Sequence, residues 1–356
     1  MEIARIVVIG LAAAVGVLYY RRTMGGSVSG RLSRKAKALG FLPQRRQDSQ
    51  RAASDPELEG AKAAASRGRW EPAAQLLART REQRDWTRRS YYAAAFGSHE
   101  AARPDSWLDA WQSAVGPDDP DLALVRAAAR VSLAWHLRGG GWAKHTSREQ
   151  FAGFHDVLLR APRENARTAE LNPEDPSPYV SEIWTALGLG YSHEDMRRVW
   201  DEVTDRDPYH YRAHSAALQY WCAKWRGSEE LATSFAREAA ANAPLGSLLT
   251  ALPLVAWYEH RDDDAQTADF RAPQVVALVD AALADVEAAP SDHPDTSAVR
   301  HLLAYFLTRQ GRYDAALEQF RLVDGCVDAL PWRYWDDPAS VYCLWRNKAL
   351  RGSGRF

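Results

Sequence analysis

The residues able to do chemistry are a few histidines, three cysteines, a glycine run and an unusual number of tryptophans. His210 and His214 stand four apart, a spacing that puts two imidazoles on one helix face and suits a zinc ion. No Glu or Cys occupies a recognisable third-ligand position and HExxH is absent, so structural histidines are expected and no metal. Arg138-Gly-Gly-Gly-Trp-Ala-Lys144-His-Thr146 has the glycines of a phosphate loop but neither its Gly-Lys-Ser/Thr ending nor a preceding apolar strand. It reads as a helix end and a turn, with a lid as its functional alternative. Cys222, Cys326 and Cys343 form no CxxC pair, and neither they nor the Ser-rich turns offer the strained or activating setting a nucleophile needs. Asp262-Asp-Asp264 lacks spaced ligands and a turn glycine, and reads as a solvated loop. His193-Glu-Asp195 follows Ser192 and reads as helix capping. The expectation is a protein that is not an enzyme and needs no cofactor.

Two aromatic and cationic stripes are the sharper signal. His214, Ala217, Trp221 and Lys224 recur at i, i+3, i+7 and i+10, with Trp225 beside them. His301, Tyr305, Thr308 and Arg309 follow the same register further on. Each stripe joins a flat aromatic to a terminal cation, which suits an extended peptide or a carboxylate-bearing segment. The alternative is that Trp221, Trp225 and Tyr305 fill a seam between helices. With fourteen Trp in 356 residues, most must fill seams or line a groove.

The elements that position these residues read as helices throughout. From Pro56 onward apolar residues recur every three or four positions and strand-like alternation is nearly absent. Residues 126–135, 235–241 and 275–283 are plain amphipathic helices, Ser147 to Gln150 has the capping-box pattern, and Pro or Gly breaks the chain every 12–20 residues. About fourteen short helices are expected, an all-α fold.

Repeats lie within them. Pro173, Pro208 and Pro244 each close a helix, 35 and 36 residues apart. His301-Leu-Leu-Ala-Tyr-Phe-Leu-Thr-Arg-Gln-Gly-Arg-Tyr-Asp-Ala-Ala-Leu-Glu-Gln-Phe320 places Gly311 at a turn, Ala316 at a helix crossing and Phe320 four residues on. Gly68-Arg-Trp-Glu-Pro-Ala-Ala-Gln-Leu-Leu77 and Gly227-Ser-Glu-Glu-Leu-Ala232 repeat that turn, the latter continuing through Ala236 and Ala239 to Pro244. These units resemble the tetratricopeptide repeat, whose period is 34 residues. The Pro173–Pro208 unit departs, with Trp184 where a small residue is expected and Tyr191 in place of the turn glycine. Residues 85–170 show no clear period. The order of Arg138-Gly-Gly-Gly-Trp142, Phe154-His155, Asn172-Pro-Glu-Asp-Pro176, Lys224-Trp-Arg-Gly-Ser228 and Phe235-Ala-Arg237 is also similar to an uncharacterised bacterial group of such proteins. The resemblance implies an α-solenoid whose first helices line a concave groove. The partner-binding residues would then be His214, Trp221, Lys224, Trp225, His301, Tyr305 and Arg309. An alternative is an enzyme or small-ligand sensor with a pocket around Arg138–Lys144, His155 and Lys224.

The N-terminus reads as a tether. Ile6 to Tyr20 is free of charge, and with Arg5 snorkelling the run from Ile3 reaches the short end of what spans a bilayer. Tyr19 and Tyr20 before Arg21 and Arg22 resemble an interfacial belt with a charged stop. A cleaved signal peptide, with Ser27-Val28-Ser29 as its nearest site, and a buried soluble helix are the alternatives. Thirty-nine of the 45 basic residues are Arg, which with the abundant Ala suggests a GC-rich bacterial genome. Residues 21–51 hold nine Lys/Arg against Asp48 alone, a net of +8. With a formal total of −1 and residues 1–20 neutral, the rest carries −9, which argues against nucleic acid as a partner. The basic excess after the span places the body in the cytoplasm. The expected organisation is a transmembrane anchor at 1–20, a basic flexible linker at 21–55, solvated or lying on anionic lipid, and a helical repeat domain at 56–356.

Overall fold

The computed structural model describes residues 34–139, 146–262 and 264–354. The expected anchor at 1–20, residues 21–33 of the expected linker and residues 140–145 of the Gly-rich loop lie outside the described residues. Among the described residues no helix is long and apolar enough to cross a membrane.

Those residues are α-helical, with no strand and one isolated bridge between Asp48 and Cys326. The helices are α1 (Pro56–Ala65), α2 (Glu71–Gln83), α3 (Trp86–Phe96), α4 (Trp107–Val115), α5 (Pro120–Arg138), α6 (Arg148–Leu158), α7 (Ala161–Leu171), α8 (Ser177–Leu189) and α9 (His193–Thr204). They continue as α10 (Tyr211–Trp221), α11 (Glu229–Ala241), α12 (Leu252–Arg261), α13 (Thr267–Phe270), α14 (Pro273–Ala288), α15 (Thr296–Gln310), α16 (Tyr313–Leu322) and α17 (Pro338–Gly352). Helix starts are written locally: the side chains of Asp55, Asp85, Ser192 and Ser228 each accept a backbone N–H of the first turn. Ser147 and Gln150 form the reciprocal capping box.

The described residues fold as two compact units, one within Ala53–Val299 and the other joining those up to Ala52 to those from Arg300 onward. In the larger unit neighbouring helices pack as hairpins, α1 on α2, α8 on α9, α10 on α11. The first helices of successive hairpins also touch, α8 against α10 and α10 against α12. α8 and α10 begin at Ser177 and Tyr211, 34 residues apart, whereas α12 begins at Leu252, 41 further on. The long α5 runs through the region without a period and packs on α3, α6, α7 and α8. Trp111 is fully buried in this unit, stacked between Trp70 and Trp107.

Three turns share one device. Gly68, Gly227 and Gly311 are each followed five residues later by an alanine (Ala73, Ala232 and Ala316) at 0% exposure. A methyl there lets the second helix approach the first. In the departing unit the left-handed residue is Gly190 (φ 74°), one before Tyr191, and Met196 is the buried residue after the turn. Gly188 is the small residue of α8: a Cβ there would collide with Leu158 and Phe154. Trp184 is therefore free to stand at the surface, 36% exposed.

The smaller unit includes the described part of the basic stretch. Residues 34–52 are packed, not a free linker. Ala36 and Phe41 are buried, the Leu42 N–H donates to Asp324, and Asp48 exchanges backbone hydrogen bonds with Gly325 and Val327. Arg346 of α17 donates to the Leu42 carbonyl at 2.8 Å and lies over the Phe41 ring. The span 56–356 is accordingly divided, with its last part sharing a unit with the N-terminal segment.

Candidate functional site

Where α3, α5, α8 and α10 meet, the larger unit buries a polar junction that the sequence reading missed. Arg89, at 0% exposure, pairs with Asp121 at 2.7 Å and with Asp175, and donates to the Leu77 carbonyl. Arg81 binds the same Asp121 through two nitrogens, so two cations meet two carboxylates. Burial lowers the Arg89 pKa, but the attraction of Asp175 and Asp121 outweighs it and the net direction is up. Beside them Ser90 Oγ donates to Ser177 Oγ at 2.8 Å and lies 3.0 Å from His210 Nε2.

That serine–histidine pair has the wrong polarity for a nucleophile. His210 is the N-cap of α10, and its Nδ1 accepts the Ala213 N–H. The proton is therefore on Nε2, which faces Ser90 Oγ and the Trp86 carbonyl and cannot take a proton from the serine. Burial keeps the ring neutral, pushing its pKa down against the pull of Asp207 and Asp295. Two of the buried cysteines are held as thiols: burial raises the Cys222 thiol to about 12 and that of Cys343 to about 11. Among the described residues no cluster of three His, Cys, Asp or Glu could hold a metal.

Outside the junction the same loops open a cleft of about 460 Å³, lined by Arg84, Trp86, Pro173, Glu174, Glu202, Asp205 and Arg206. Its positions follow from helix ends. Arg84 ends α2 in the left-handed conformation, Trp86 opens α3, and Asp205 follows α9. Arg84 pairs with Glu174 at 2.7 Å. Arg206 donates to the Pro173 carbonyl and to Glu202, and lies 4.6 Å from the Tyr179 ring centroid. Three carboxylates, two guanidiniums and a half-buried indole line it. The pairs are solvent-accessible, worth about 0–1 kcal/mol each, so an incoming charged segment can exchange them.

The expected stripes are placed differently from an open groove. His214 is 4% exposed, its Nδ1 against the His210 carbonyl and its ring against Trp200 and Phe235. Burial pushes its pKa down to about 4. Trp221 is 8% exposed and packs on His193 and Tyr220. Lys224 and Trp225 reach the surface; Lys224 pairs with Glu259 at 2.6 Å. In the smaller unit His301 is fully buried and accepts from Trp332 Nε1 at 2.9 Å. Its pKa falls to about 3 through burial, the Cys326 and Ala52 carbonyls opposing the shift. Tyr305 is 4% exposed, and Arg309 lies over Tyr305 and Trp345. A side chain enclosed on all sides has no face left for a peptide. His214, Trp221, His301 and Tyr305 are interior, and the two stripes belong to different units.

Of the alternative pocket, Trp135 and Trp225 meet edge-on at 5.6 Å with Arg138 over both rings, 5.6 and 5.2 Å from their centroids, and Phe154 and Trp184 also meet Trp135 edge-on. His155 packs on Phe151 and Phe154. Lys144 lies outside the described residues. The sequence signals for the junction and cleft were Arg89 inside an apolar helix and the Asn172-Pro-Glu-Asp-Pro176 turn. Neither names its partners, which come from other helices.

Set against family models, curated proteins and solved structures, the chain matches none.

Proposed function

We propose that this chain is a tetratricopeptide-like scaffold that binds a protein or peptide partner. In this reading residues 1–20 tether it to a bacterial membrane, with its body in the cytoplasm. The observation that carries the binding role is the cleft at Arg84, Trp86, Glu174, Glu202, Asp205 and Arg206. It is lined by an indole, exchangeable ion pairs and Asp205, whose carboxylate has no ion pair among the described residues, which suits an extended segment carrying a cation beside a carboxylate. Stacked hairpins support the reading, because their rigid ends hold these loops in place. Among the expected partner-binding residues, Lys224 is exposed and paired with Glu259, and Trp225 is half-buried against Trp135. The tether rests on the uncharged run from Ile6 to Tyr20, and the orientation on the basic excess that follows it.

The test is site-specific photocrosslinking in cells. A crosslinker at Asp205 should capture a discrete partner, and one at Leu159, 65% exposed and outside the cleft lining, should not. Arg84→Glu with Arg206→Glu should reduce the capture at least tenfold at unchanged helicity. Equal capture from both positions, or by the double variant, would remove the cleft from the proposal.

A further inference from the structure

The two units divide the charge of the molecule. Residues 1–52 with 300–356 hold nineteen Lys/Arg and eight Asp/Glu, a net of +11; residues 53–299 hold 26 against 38, a net of −12. Within the smaller unit the packed segment 34–48 and the end of α16 carry several of the cations, with Asp337 touching the segment only through Gln44. Arg34, Lys37, Arg45 and Arg46 are exposed, and none is in an ion pair among the described residues. Arg321 is exposed too, with its guanidinium over the Phe41 ring at 5.7 Å. Two large apolar side chains accompany them, Leu322 at 56% exposure beside Arg321, and Leu39 at 37% beside the Gly40–Phe41 turn.

We infer that this face of the smaller unit is a docking surface for anionic lipid headgroups. Five cations without carboxylate partners would repel one another in water and gain about a factor of five each in affinity for a negatively charged bilayer surface. Exposed leucines among cations add insertion into the headgroup boundary, as in interfacial amphipathic segments. A lipid surface fits better than nucleic acid, because a phosphodiester chain gains nothing from Leu39 and Leu322 and the rest of the molecule carries −12. The face also begins fourteen residues after the uncharged run that ends at Tyr20. This inference rests on the membrane reading proposed above and turns the expected linker into a folded contact with the bilayer.

The test uses the full-length chain with vesicles of neutral phosphatidylcholine, alone or with 30% phosphatidylglycerol. Amide exchange at residues 35–47 and 321–323 is expected to slow at least about fivefold on the anionic vesicles only. The slowing should disappear in 0.5 M salt, and in the variant carrying Arg34→Gln, Lys37→Gln, Arg45→Gln and Arg46→Gln. All four substitutions are on the surface and leave the Phe41 contacts in place. Flotation at high salt reads the tether separately. A chain that floats with both vesicle types in 0.5 M salt but shows no lipid-dependent slowing overturns the docking face and leaves the tether standing. One that floats only with anionic vesicles and is released by salt supports the face while the tether fails. Flotation with neither, or equal protection of these residues by duplex nucleic acid, overturns the inference.

Discussion

A guanidinium at zero exposure persists only because charge and hydrogen bonds replace its water. Arg89 has Asp121, Asp175 and the Leu77 carbonyl for that purpose. Arg89→Leu would leave the buried Asp175 without a cation and Asp121 with only the partly exposed Arg81. Urea unfolding of that variant should show a loss of about 3–5 kcal/mol. His214 gives a pH signature. Its folded pKa of about 4 lies below the unfolded 6.5, so the unfolded chain takes up the proton first and stability falls as pH drops from about 6.5 towards 4. At pH 5 the penalty is about 2 kcal/mol. Wild type should therefore lose that much more stability than His214→Leu between pH 7.5 and pH 5, read from denaturant midpoints. Trp221→Ala should cost about 3–5 kcal/mol for its buried indole, so it probes folding and not partner capture. The stripe spacing was legible; which face of α10 pointed inward was not, since His, Trp and Tyr serve seams and grooves alike.

At the scale of elements, local signals did most of the work. Caps, helix-closing prolines and the glycine-to-alanine offset of five are properties of adjacent residues, and they stand where the sequence puts them. The unit at 173–208 misled because its turn glycine sits one residue early, at Gly190, and because Gly188 supplies the close approach that Trp184 was expected to need. Gly190→Ala forces a side chain into the left-handed region and should lower the thermal midpoint, with a cost of about 1 kcal/mol or more. Gly188→Leu should cost more, because α6 must withdraw from α8 to admit it. Calorimetry on both variants orders the two effects; a milder Gly188→Leu would contradict the close packing of that seam.

At the scale of the molecule, the two ends of the chain build one unit. α17 contributes Arg346 to the Leu42 carbonyl and to the Phe41 ring, and Tyr342 to Asp324, which in turn accepts from Leu42 and Gln47. Removing residues 338–356 should therefore release residues 34–52. Trypsin should then cut at Arg45 and Arg46 at least tenfold faster than in the intact chain, as timed by mass spectrometry. Unchanged cleavage would show that the segment holds its place without α17.

Helix class, the turn positions and the sign of each charged stretch were decided by the sequence alone, because each depends on neighbours within a turn or on simple addition. Only the tertiary structure decided what those helices enclose. The pairing of Arg89 with Asp121 and Asp175 spans 32 and 86 residues. Docking of Phe41 under Arg346 spans about 300. Such contacts are chosen by which packing pairs the buried charges, a property of the whole assembly and not of any window of sequence.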